Sequence, residues 1–266
     1  PGELAAAVLG RERLQNAGRL IGAYTFLGEA GSATALQRAL ERAGHEVRPS
    51  NPFGTEAPFL AGRPRSPHAA RVRSMWARMR PMIVARWPEP PGIPQEPEAY
   101  LANVDRCAER DAYHSLTIEG YQVSPELIAR VASGGRGDPE DKNRLATIGY
   151  LAALHRVRED LQHIFSGRSP AEVTRVGVDV WHQELFLPLA QAGLIEHKDL
   201  LGYRRQPVYI RGARHVPPRF DALPDAVDAL FHCLEREDHA AVRAILGHFV
   251  FTWIHPYEDG NGRVAR

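Results

Sequence analysis

Lysine is almost missing from this chain: Lys142 and Lys198 are the only lysines among 33 basic residues, and arginine supplies the rest. Against 32 acidic residues the formal net charge is only +1. That balance excludes a surface dedicated to nucleic acid and leaves room for no more than local arginine patches. The richness in arginine, alanine and proline reads as the mark of a GC-rich coding genome. Cysteine is scarce as well. Cys107 and Cys233 lie far apart, with no CxxC pair and no histidine at metal-ligand spacing, which excludes a disulfide framework and a zinc site and fits a reducing, cytoplasmic compartment. No apolar run approaches the ~18 residues of a membrane span, and the first residues lack a secretion-signal pattern, so no membrane partner is expected. Repeats and low-complexity tracts are absent. The chain opens with Pro1-Gly2 rather than Met, and these two residues are read as the edge of a trimmed piece.

What is present is helix-forming, and 266 residues are enough to bury a real core. The expected fold is all-α, with an N-terminal helical region and proline-rich connector over 3–97 and a second region over 98–266. Residues 3–46 carry helical spacing, interrupted at Gly28 and capped by Gly44. These two helices are read as packing on the main region, with DNA contact as the alternative. Residues 49–73 read as a linker. Residues 74–87 follow with a stripe of Met75, Met79, Met82 and Ile83, expected in a core, and 88–97 are too rich in proline for helix. Further helices are expected over 98–118, 125–131, 142–165, from 170 to just before Pro188, and over 224–237. The most regular runs over 239–254, where Val242, Ile245, Leu246, Phe249, Val250 and Trp253 form one apolar stripe. Ser169 and Glu172 read as a capping box. His155, His163, His182 and His197 are scattered and read as surface or hydrogen-bonded groups. Val208, Tyr209, Ile210 and Arg211 have the content of a short strand, expected in a β-hairpin flap that captures an extended peptide by strand addition.

The chemistry concentrates in His255-Pro256-Tyr257-Glu258-Asp259-Gly260-Asn261-Gly262-Arg263-Val264-Ala265-Arg266. Pro256 disfavours helix at His255, so the imidazole stands where a buried helix gives way to a loop, well placed as a general base. Asp259 offers a hard oxygen suited to Mg²⁺, which takes one or two carboxylates beside substrate phosphates. Gly260, Asn261 and Gly262 lead into a helix whose first amides can bind an anion, and Arg263 and Arg266 share one face and add phosphate contacts. A second stretch is Ser115-Leu116-Thr117-Ile118-Glu119-Gly120. Ser115 and Glu119 fall on one helix face, and a glutamate in a last turn meets the negative end of the dipole, so a cation elsewhere is expected to compensate.

Residues 255–266 resemble the Fic family signature HxFx(D/E)GNGRxxR at every defined position except Tyr257, where the family usually has Phe; the added hydroxyl needs a partner or a place at the edge of the pocket. Ser115 to Gly120 resemble the family's inhibitory motif (S/T)xxxE(G/N). The resemblance, which covers about residues 100–266, implies a Fic-type helical bundle. It implies transfer of AMP from ATP to a Ser, Thr or Tyr hydroxyl of a target protein, self-modification included, with His255 as base, Mg²⁺ on Asp259, and phosphates held by Gly260 to Gly262, Arg263 and Arg266. Ser115 and Glu119 are then inhibitory, Glu119 pairing with Arg266, and residues 208–211 form the target-docking flap. The family's helix runs on past the last arginine, so more chain is expected there, and a homo-oligomer is a further expectation. Two other readings stand beside this one: removal of AMP from a modified protein at the same site, and a nucleotide-sensing or DNA-binding regulatory module.

Overall fold

The computed structural model describes residues 14–52, 66–88, 92–200, 202–210 and 212–266. Ten α-helices and no strand occur among the described residues, and the chain divides into two compact units, Pro1–Ala85 and Arg86–Arg266. In the first, α1 (Leu14–Phe26) and α2 (Ala30–Arg42) are joined across Gly28. Ala17 and Ile21 form a core with Ala33, Leu36 and Leu40, and Leu20, Tyr24, Ala39 and Val47 close around it. Residues 3–13 of the helical region expected there lie outside the described residues.

The helix α3 (Pro67–Val84) begins inside the stretch that reads as a linker. Ser66 caps it by accepting from the Ala69 N–H at 3.2 Å, with Pro67 in the first turn. Residues 53–65 of that expected linker lie outside the described residues. The methionine stripe is not the core face. Ala69, Ala70, Val72 and Trp76 are buried while Met82 is 58% exposed, because the indole removes more apolar area from water than a thioether chain does and sets which face turns inward.

The second unit contains α4 (Pro97–Ile118), α5 (Pro125–Ala132), α6 (Lys142–Phe165), α7 (Pro170–Gln191), α8 (Leu223–Arg236), α9 (Ala240–Ile254) and the short α10 (Asn261–Ala265). The α6–α7 pair is its centre. Helices α4 and α5 pack on α6, while α8 and α10 pack on α7 and α9 bridges α8 and α10. At Gly149 the two central backbones touch, since a Cβ there would lie 2.2 Å from the Leu185 carbonyl oxygen and 3.0 Å from that of Glu184. Two details of α7 differ from the sequence reading. Ser169 makes no side-chain cap bond. Pro188 does not end the helix: it removes only the N–H that would meet the Glu184 carbonyl, and Leu185, Phe186, Leu189 and Ala190, all buried around it, hold the last turn by packing.

The apolar stripe of α9 is also wider than one face. Val242, Leu246, Val250 and Ile254 are fully buried, whereas Ile245 and Phe249 are 37% and 39% exposed. The helix is apolar nearly all round, so spacing alone does not choose its buried side. No described helix is long and apolar enough to cross a membrane.

Candidate active site

Helix α9 stops by turning left-handed. His255 has φ 54° and ψ 60° and is the only non-glycine at positive φ among the described residues. Such a backbone costs of order 1–3 kcal/mol and persists where its surroundings over-determine it. Here His255 Nδ1 lies 3.3 Å from the Thr252 carbonyl, a contact that selects the Nδ1–H tautomer and leaves Nε2 as a proton acceptor. Arg204 donates Nε–H to the His255 carbonyl at 2.8 Å and its backbone N–H to the Pro256 carbonyl at 2.9 Å. Burial lowers the His255 pKa and the Arg204 charge adds to this, against the Thr252 bond and the Asp259 and Glu119 carboxylates. The imidazole is therefore neutral at neutral pH, as a base must be.

Tyr257 anchors the turn. It is 1% exposed, its ring stacks on His182 with centroids 3.9 Å apart, and its hydroxyl donates to Asp179. Asn261 closes the turn from inside, accepting from the Tyr257 N–H at 2.9 Å and donating to the Tyr257 carbonyl at 2.8 Å. His182, read from the sequence as a surface or hydrogen-bonded group, is the second of these and is 3% exposed. Its Nε2 lies 3.2 Å from the Asp259 carbonyl, and burial pushes its pKa down to about 4.

Beyond Tyr257 the chain presents its polar groups. The Asp259 side chain is 68% exposed. One of its oxygens accepts from the Gly260 N–H at 2.6 Å and the other from Arg263 Nη2 at 3.1 Å. Gly260 has φ 82°, and a Cβ on it would lie 2.5 Å from Phe186 Cε2. The Arg263 guanidinium is held between the rings of Phe186 and Tyr121, 4.7 and 5.3 Å from their centroids, and its buried Nε has no hydrogen-bond partner. The first-turn amides of Asn261, Gly262 and Arg263 have no intrahelical acceptor.

Arg266 faces the end of α4. Its Nη2 meets Glu119 Oε1 at 2.6 Å and the Ser115 carbonyl at 3.3 Å, and its Nε meets Ser115 Oγ at 3.2 Å. Ser115 Oγ lies 2.9 Å from the Tyr150 hydroxyl, which donates to Asp111 Oδ2 at 2.7 Å. Burial holds that phenol protonated well above its ordinary pKa. The same Glu119 oxygen would lie 2.6 Å from a Cβ on Gly262, so the carboxylate rests directly against the glycine turn.

Ser115, Glu119, Gly262 and Arg266 thus meet, and Asp259, Gly260, Asn261 and Arg263 stand beside them on the same turn as His255. The expected β-hairpin flap is not seen among the described residues. Val208, Tyr209 and Ile210 are in no strand, no strand occurs among the described residues, and Arg211 lies outside them. Pro207, Pro217 and Pro218 bring no N–H to a ladder, and Arg204 takes the Gln206 and Pro218 carbonyls instead, at 2.8 and 2.5 Å. An apolar cavity of about 450 Å³ also has Arg263 and Arg266 on its wall, but Trp181, Leu230, Phe231 and Phe251 line it, and such a lining gives no phosphate cradle. The sequence offered no signal for His182, Arg204 or Tyr150. The hydroxyl of Tyr257 pointed to a polar partner or an edge position, and the partner is Asp179.

Residues 173–266, which hold α8, α9, most of α7 and the terminal turn, match the model of the Fic/DOC family. A probable protein adenylyltransferase of Aquifex aeolicus is 37% identical over 67 residues, which is 24% of this chain and 21% of that protein. Proteins named protein adenylyltransferase Fic from Drosophila virilis and Drosophila grimshawi are 28% and 29% identical over 178 residues, 64% of this chain and 32% of each. The matches span from a fifth to a third of the length of these curated relatives.

Proposed function

We propose that this chain transfers AMP from ATP to a hydroxyl of a target protein and that Glu119 holds the reaction off. One arrangement carries the reading: a neutral imidazole and a glycine turn with two arginines share a single loop, and the Glu119 carboxylate is parked against that turn on Arg266. His255 Nε2 takes the proton of a Ser, Thr or Tyr hydroxyl. That oxygen bonds to the α-phosphorus of ATP, the bond from phosphorus to the bridging oxygen of the β-phosphate breaks, and pyrophosphate leaves. The amides of the Gly260 to Gly262 turn and the guanidinium of Arg263 steady the charge on the phosphates, so orientation and electrostatics supply most of the rate. No group of three or more metal-binding side chains exists among the described residues. The single exposed carboxylate of Asp259 nonetheless fits Mg²⁺ arriving with the nucleotide, because that ion takes most of its oxygens from phosphate and water. When bound it would neutralise phosphate charge.

Arg266 is the phosphate clamp in this reading, and its pairing with Glu119 and Ser115 keeps it from the γ-phosphate. Residues 98–266 form the catalytic region, with 3–97 as a separate helical region, and the reaction belongs to the cytoplasm. The test is self-labelling with ATP labelled at the α-phosphorus. Glu119→Gly is expected to label strongly and wild type weakly, and His255→Ala is expected to abolish the signal, a loss of about 10²–10⁴ in rate for a general base. A silent Glu119→Gly chain, or label that survives His255→Ala, overturns the proposal.

A second reading rests on the place of Glu119, on Arg266 and against the glycine turn that follows His255: the same carboxylate orients water for removal of AMP from a modified protein. Release of free AMP from such a protein by wild type, and none by Glu119→Gly, favours it over transfer.

A further inference from the structure

Arg204 is 3% exposed, and its guanidinium is spent on backbone carbonyls. Its Nε reaches His255, Nη1 reaches Gln206, Nη2 reaches Pro218, and its own backbone N–H reaches Pro256. A cation buried this way is costly unless its hydrogen bonds are made well. Here three segments make them: the turn carrying the imidazole and the two ends of the loop over 206–218. The His255 carbonyl is the atom whose direction changes when that residue goes from helical to left-handed backbone. Arg204 grips it there, one residue before a proline whose ring leaves that turn no N–H of its own to use.

We propose that Arg204 is a positioning residue for the transfer reaction: by holding the His255 and Pro256 carbonyls it sets the direction of the imidazole. Through Gln206 and Pro218 the same side chain fixes the neighbouring loop to the same point. This rests on the reading of His255 as base. A lysine keeps the charge and much of the stem but presents no planar fork, so it cannot serve three carbonyls in these directions.

The experiment compares Arg204→Lys and Arg204→Met with their parent, Glu119→Gly, in self-labelling at varied ATP. In Arg204→Lys, kcat is expected to fall about 10- to 100-fold, the scale of a reacting group displaced by about 1 Å. The KM for ATP stays within about twofold, because the phosphate contacts are untouched. Arg204→Met is expected to lose as much or to unfold, and the lysine variant keeps the test decisive in that case. A readout independent of turnover is the ¹⁵N spectrum of the His255 imidazole. The parent is expected to show the Nδ1–H tautomer, and Arg204→Lys a shift toward Nε2–H as the Thr252 contact loosens. Unchanged kcat and unchanged tautomer in a folded Arg204→Lys chain overturn the proposal, as does a loss confined to KM. If the parent itself does not label, the transfer reading fails; a tautomer shift then still supports Arg204 as the group that aims His255, and its absence sinks that too.

Discussion

The two sides of the candidate site are held by different physics. On one side Tyr257, Asn261 and His182 are 1%, 1% and 3% exposed, every polar contact between the turn and Asn261 is made inside, and aromatic stacking fills the remaining space. On the other, Glu119 and Arg266 meet with side chains 26% and 25% exposed. A buried network of this kind has no cheap alternative arrangement, since opening it strands its donors and acceptors. A partly exposed ion pair has one, because water and salt can replace each partner, and its net worth is typically about 1 kcal/mol or less. The His255 side is therefore a fixed frame, and the Glu119 side is the part that a phosphate could displace. Experiments that remove one contact from each side should give very unequal results.

The largest effect is expected from Asn261→Ala. It strands the Tyr257 N–H and carbonyl in a buried site, at roughly 1–3 kcal/mol for each group, so a loss of about 2–6 kcal/mol is expected in denaturant unfolding. A loss under about 1 kcal/mol would mean that water reaches the turn, and the rigid-frame picture would fail.

The next effect is on pH. His182 is buried with its pKa at about 4, below the ~6.5 of an unfolded imidazole. Between those values the unfolded chain binds a proton that the folded chain does not, so stability rises with pH there and is lost on acidification. The loss attributable to His182 is about 3 kcal/mol by pH 4 in metal-free buffer. Unfolding midpoints measured across this range should fall more steeply for wild type than for His182→Phe. Equal slopes would place the imidazole in water and dissolve the contrast with Glu119.

What could be read from sequence follows the same division. Residues 255–266 are contiguous, and Ser115 and Glu119 are one helical turn apart, so both stretches carry their pattern locally, and helix α6 spans 142–165 as its spacing indicates. The frame is different. His182 lies 77 residues from the carbonyl it meets, Arg204 lies 51 from His255, and Tyr150 lies 35 from Ser115. Nothing in the local spacing of α7 distinguishes a histidine that faces Tyr257 from one that faces water. The strand-like content of residues 207–212 misled for a related reason. β-propensity expresses fit to a pleated surface, and here the neighbouring chain offers the Arg204 guanidinium rather than a second strand.

The smallest effect is expected where function is expected to change most. Glu119→Gln keeps the shape at the end of α4 and can still donate or accept near Arg266, but removes the charge. Because both side chains are about a quarter exposed, the change in unfolding free energy should stay within about 1 kcal/mol, and high salt should shrink the difference further. Self-labelling should nevertheless rise, as the Arg266 guanidinium becomes available to phosphate. Gly262→Ala probes the same contact from the opposite face, since its Cβ would come within 2.6 Å of Glu119 Oε1 and press the carboxylate outward. A Glu119→Gln chain destabilised as strongly as Asn261→Ala would show that the ion pair belongs to the frame. Glu119 could then not be a release point, because no phosphate contact would displace a group held that firmly.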